Sequence, residues 1–106
     1  MNHIRDNLPY LRALTKLPKR QVQELLKSSN STQINCLIEI CHNLVSGVIE
    51  LSSKDISELT SHKAVIRKVS RGHLNTKSLK KYLVNKALSV SLVLQLCLPR
   101  LEKVFE

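Results

Sequence analysis

Apolar residues recur along most of this chain at intervals of three and four, the spacing that lays one face of an α-helix against a core. Leu8, Leu11 and Leu14 form the first stripe, with Asn7 before it as an N-cap and Pro9 in the first turn, where a missing N–H is tolerated. Pro18 stops that helix near Lys16 and starts a second, short one with Val22, Leu25 and Leu26 inward. Ser28, Ser29, Asn30 and Ser31 make a polar turn, and Ser31 or Thr32 is placed to cap a third helix. That third helix carries the clearest pattern in the chain. Ile34, Leu37, Ile38, Cys41, Leu44, Val45 and Val48 form a full apolar face, widened by Cys36, Ile40 and Ile49, as expected of a central helix contacted on more than one side.

Gly47 weakens the end of that helix, and Ser52 with Asp55 three residues on predicts the cap of another. Ile56, Leu59, Ile66 and Val69 supply its thinner stripe, and Gly72 is its natural C-terminal residue. Asn75 or Thr76 opens a last helix, with Leu79, Leu83 and Val84 inward and Lys77, Lys80 and Lys81 outward. We expect it to run on to Pro99, leaving residues 99–106 as a short turn or loose tail. Within it Leu88, Val90, Leu92, Leu94, Leu96 and Leu98 alternate strictly, which is also the period of a strand. A lone strand would find no partner elsewhere in the chain and would leave its backbone groups unpaired. The stretch is therefore read as a helix apolar all round, buried or lying against a partner.

Composition narrows the class. The chain has 106 residues, 42% of them hydrophobic but only 3% aromatic, with two Gly and three Pro. That is enough apolar residue for one folded domain and too little turn chemistry for a small sandwich or barrel. The expectation is a single all-α domain over residues 1–106, a compact bundle of about five helices around a central helix near 32–49. Three Cys are too few and odd in number for a disulfide scaffold, which suits a reducing compartment. No N-terminal apolar run reads as a secretory signal, and the longest apolar stretch, Ala87 to Leu98, falls short of a membrane span. An intracellular or packaged protein is expected, with a membrane role disfavoured.

Charge changes the picture most. Residues 1–58 hold seven basic and six acidic residues, whereas residues 59–101 hold nine basic residues and no acid. Nearly all of the net +9 thus lies in the second half, densest from Lys63 to Lys86. A field of one sign favours a polyanion, although a basic helix face can also serve solubility alone. Lys63, Arg67, Lys68 and Arg71 recur at helical spacing, and Lys77, Lys80 and Lys81 do so on the next helix, with Lys86 beyond them. Such rows match phosphates rather than base edges, and binding of that kind is lost as salt competes. Stacking on single strands is disfavoured, since only Tyr10, Tyr82 and Phe105 are aromatic. Duplex DNA is the expected ligand.

Other chemistry is sparse. Cys36, Cys41 and Cys97 show no Cys-x-x-Cys spacing, and His3, His42, His62 and His73 form no pair three or four residues apart. Core thiols and a surface His42 are expected, with no metal and no cofactor. There is no Gly-rich phosphate loop and no carboxylate pair in a polar loop, so no enzymatic activity is expected.

Several stretches together resemble a known group. They are Asn7-Leu8-Pro9-Tyr10-Leu11, then Pro18-Lys19-Arg20 leading to Leu25-Leu26, and Ile38-Glu39-Ile40-Cys41-His42-Asn43-Leu44-Val45-Ser46-Gly47. Leu59, His62-Lys63, Ile66-Arg67 and Leu79-Lys80-Lys81-Tyr82-Leu83-Val84 continue the likeness, which spans residues 7 to 86. This pattern resembles the small basic proteins of Polinton/Maverick elements and adintoviruses, themselves described as similar to the adenovirus core peptide precursor. The resemblance implies a virion core protein that condenses DNA through Lys63, Arg67, Lys68, Arg71, Lys77, Lys80 and Lys81, located in the virion or host nucleus. The sequence departs from the group after its last basic helix, where Asn85-Lys86-Ala87 runs on without a Gly-rich turn. The alternative is a helical protein–protein adaptor or homodimer, with Leu88, Leu92 and Leu96 meeting a partner such as a capsid protein or a second copy.

Overall fold

A computed structural model describes residues 2–72 and 75–105, and every described element is helical. α1 spans Asn2–Asp6, α2 Leu8–Lys16, α3 Lys19–Lys27 and α4 Ser31–Val45. α5 spans Ser53–Leu59 and passes through a 3₁₀ turn, Thr60–His62, into α6, Lys63–Arg71. α7 covers Thr76–Asn85 and α8 Ala87–Val104. Among the described residues there are thus eight α-helices rather than about five. The excess has three sources: α1 was not expected, the helix after Ser52 is interrupted by the 3₁₀ turn, and the last helix breaks in two.

The punctuation residues explain most boundaries. Leu17, ahead of Pro18, is extended (φ −80°, ψ 151°), because the proline ring excludes helical geometry from the residue before it. α4 is capped by Asn30, one residue ahead of the expected Ser31 or Thr32. Its Oδ1 accepts from the Gln33 N–H at 2.8 Å, and the Asn30 N–H donates to Gln33 Oε1 at 2.9 Å, a reciprocal capping box. Ser52 and Asn75 cap α5 and α7 as expected, accepting from the N–H groups of Asp55 and Ser78. Gly72 closes α6 in the left-handed conformation, φ 62°, which costs glycine least.

α4 is the hub. Ile34, Leu37 and Cys41 line one buried row, while Cys36 and Ile40 bury a second, so α1, α6 and α7 all pack against it. Ile4 of α1 is completely buried. α2 packs on α8, and α3 on α7 and α8, bringing residues far apart in sequence together. The Arg12 Nε–H donates to Glu102 Oε1 at 2.7 Å, and Gln95 Nε2 donates to the Thr15 carbonyl at 3.1 Å.

Three expectations about the apolar segments are corrected. Val45, Val48 and Ile56, read as inward, are 56%, 60% and 57% exposed. α4 ends at Val45, and Gly47 at φ 76° turns the chain, so Val48 lies beyond the helix that would have buried it. The last helix is not continuous: α7 and α8 meet at 87° around Lys86. A straight helix over residues 76–104 would be about 43 Å long at 1.5 Å per residue. That exceeds the 32 Å longest dimension of the molecule, so bending keeps both apolar stripes on one core. Finally, Pro99 does not end α8, and among the described residues no loose tail follows it. The helix continues to Val104, held by completely buried Leu101 and by Glu102 on Arg12.

α8 is helical, not a strand, and it is apolar on the core side rather than all round. Ala87, Val90, Val93, Leu94, Cys97, Leu98 and Leu101 are buried, while the outer side carries exposed Gln95, Arg100 and Lys103 along with one exposed leucine, Leu88 (62%). No single described helix is long and apolar enough to cross a membrane.

Candidate nucleic-acid interface

α6 keeps Ile66 and Val69 against the core, which turns Lys63, Arg67, Lys68 and Arg71 outward, all four exposed. At about 100° per residue, Arg67 and Arg71 occupy the centre of that outer face, with Lys63 and Lys68 on its flanks. α7 buries Leu79 and Leu83 and exposes Lys77 and Lys81, and Lys86 is exposed at the α7–α8 corner.

The two basic helices are joined at one point. Lys68 Nζ stands over the Tyr82 ring, 4.4 Å from its centroid, a cation–π contact that ties the flank of α6 to that of α7. Partial burial of the Tyr82 hydroxyl pushes its pKa up, so the ring is neutral at physiological pH. Lys80 departs from the row. It is half-buried and lies about 160° around α7 from Tyr82, on the side facing away from α6. Among the predicted residues Lys68 thus bridges the two helices on Tyr82, while Lys81 lies about 100° and Lys77 about 140° around α7 from that ring, with Lys80 farther still. Gly72 ends the described part of the link between the two helices, and His73 lies outside the described residues.

The aromatic residues are otherwise occupied. Tyr10 is buried and hydrogen-bonded to Ser29 at 2.6 Å, and Phe105 packs against the core, so neither offers a free stacking face. Asn75 is engaged as the α7 cap, while Asn85 is exposed. His62 joins the 3₁₀ turn to α8 through Nδ1 and Ser89 Oγ, 2.9 Å apart, and His42 is on the surface.

The three thiols are buried, as expected of core cysteines. Loss of hydration pushes Cys41 and Cys97 up to about 12, Cys41 being raised further by Cys97 and Cys97 by Asp55. Both are neutral, poor nucleophiles at physiological pH. Among the described residues no three His, Cys, Asp or Glu side chains gather as a metal set.

Sequence reasoning missed an apolar groove beside the basic face, where α4 ends and the chain turns through Gly47 into α5. Lys63 and Arg67 stand on its edge. Its signal, Val45 and Ile56 on either side of Gly47, was readable as position but not as exposure.

In comparisons with known proteins, no family model matches the chain, and no curated protein or solved structure matches it.

Proposed function

We propose that the protein is a non-enzymatic nucleic-acid-binding protein that holds the phosphate backbone of duplex DNA through α6 and α7, without reading sequence. The observation that carries this is the exposure of Lys63, Arg67, Lys68 and Arg71 on α6 and of Lys77 and Lys81 on α7, with Lys68 seated on Tyr82 between the two helices. The lack of any acid from Leu59 to Leu101 supports it, because nothing within that segment repels phosphate. The resemblance of residues 7 to 86 to Polinton/Maverick and adintovirus basic proteins points the same way, toward a DNA-condensing role in a virion core.

The test is fluorescence anisotropy of a labelled duplex across a salt series. Each phosphate contact adds about 0.9 to the slope of log K against log salt. Changing Lys77, Lys80 and Lys81 to Gln is expected to lower that slope by roughly two to three and to weaken binding alike on all sequences. The thermal melt should be unchanged. Unaltered affinity in the triple variant, or no binding by the parent protein at low salt, would overturn the reading.

A second reading, a helical adaptor or homodimer, is favoured by the exposure of Leu88. Leu96 packs against the core, so the surface available to a partner narrows to Leu88 and half-buried Leu92.

A further inference from the structure

The groove at the end of α4 has aliphatic walls. Val45, Ile49, Leu51, Ile56, Leu59 and Ile66 line a volume of about 390 Å³. That is at the small end of the ligand-pocket range of roughly 300–1,000 Å³. Val45 and Ile56 are each more than half exposed although they share the groove with buried Ile49, Leu59 and Ile66. Paired exposed aliphatics over a groove are what a soluble surface avoids unless something covers them.

The charged residues lining this groove are both basic. Lys63 and Arg67 stand one turn apart on α6, on the same side of the slot. Among the described residues neither pairs with a carboxylate. Of the two acids on α5, Asp55 is turned to Arg100, with 3.8 Å between Oδ2 and the guanidinium, and neither it nor Glu58 lines the groove. The apolar walls offer nothing to a phosphate chain, whereas an amphipathic helix meets both features together. Its apolar residues at i, i+3 and i+7 enter the slot, and carboxylates one turn apart reach Lys63 and Arg67.

We propose that this groove is a docking site for an acidic amphipathic helix of a partner protein, separate from the α7 basic face. Charge complementarity with Lys63 and Arg67 selects the partner, and Val45 and Ile56 provide the contact that anchors it. Because Lys63 and Arg67 also belong to the basic face of α6, DNA and the acidic helix compete for them.

The test uses a fluorescein-labelled 15-residue helical peptide with Leu at i, i+3 and i+7 and Glu along one flank, against the same peptide with Lys replacing Glu. The full-length protein is expected to bind the Glu peptide at least tenfold more tightly. Ile56→Asp is expected to abolish that binding, and Ile56→Ser, which adds no charge beside Lys63 and Arg67, to weaken it at least tenfold while leaving duplex binding within twofold. As Ile56 is on the surface, its replacement leaves the core packing alone, and an unchanged melt checks this. Lys63→Glu with Arg67→Glu is expected to reverse the preference toward the Lys peptide. Equal binding of the two peptides, or binding indifferent to Ile56→Asp, would overturn the proposal. So would a concentration-dependent dimer, or capture on anionic vesicles without peptide binding, if either is abolished by Ile56→Asp. The Lys77, Lys80 and Lys81 triple variant should still bind the Glu peptide, so failure of the DNA reading and failure of this one are told apart.

Discussion

Tyr10 and Ser29 make a buried polar contact whose proton direction can be deduced, and the deduction predicts an unusual reversal. Ser29 is 2% exposed, and its hydroxyl donates to the Leu25 carbonyl at 2.8 Å. A serine has one proton to give, so in the 2.6 Å contact Tyr10 must be the donor and Ser29 Oγ the acceptor. The two deletions are then unequal. Tyr10→Phe keeps the ring in place and removes one neutral hydrogen bond, costing about 0.5–1.5 kcal/mol. Ser29→Ala strips the partner from a buried Tyr O–H and one of the two serine hydroxyls that satisfy Leu25 at the open end of α3. That cost is about 1–3 kcal/mol. Once Ser29 is gone, Tyr10→Phe removes an unpaired buried hydroxyl and should be neutral or stabilising. Urea unfolding of the parent, both single variants and the double variant closes the cycle. If Tyr10→Phe costs the same in both backgrounds, the two hydroxyls are uncoupled and the reasoning fails.

Two further predictions concern stability. Cys41 and Cys97 keep their protons in the folded state up to about pH 12, while the unfolded chain releases them near 9. Their contribution is therefore fully present below pH 9 and is lost as pH rises toward 12. The urea midpoint should fall between pH 9 and 11, and less steeply in a Cys41→Ala, Cys97→Ala variant; equal slopes would refute this. Asn30→Ala removes the acceptor half of the α4 capping box and should cost about 1 kcal/mol, within 0.5–2. An unmoved midpoint would mean that packing on α6 alone holds the first turn of α4.

How much was legible depends on how local the cause is. Ser52, Gly72 and Asn75 could be read because a cap is settled within three residues, as could the apolar face of α4 from Ile34 to Cys41. The break at Lys86 could not. Leu79, Leu83, Ala87, Val90 and Leu94 stay in phase across it, and only the size of the whole molecule forces the bend. Periodicity likewise told which way Val45 and Ile56 face relative to their helices, but not whether anything lies over them. The basic residues were visible as charge, whereas the half-burial of Lys80 and the seat of Lys68 on Tyr82 depend on how α3, α6 and α7 meet.

The pairing of α2 with α8 has a consequence for how the chain acquires its shape. Leu11 and Leu14 are fully buried in a fold where the helix against them begins more than seventy residues later. During synthesis those leucines stay uncovered until Ala87–Val104 has left the ribosome, by which time α4 and α6 can already be paired. Closing so long a loop is the costly step, and it comes last. Until then the buried faces of α2 and of α3, which packs on α7 and α8, are open to chaperones and to aggregation.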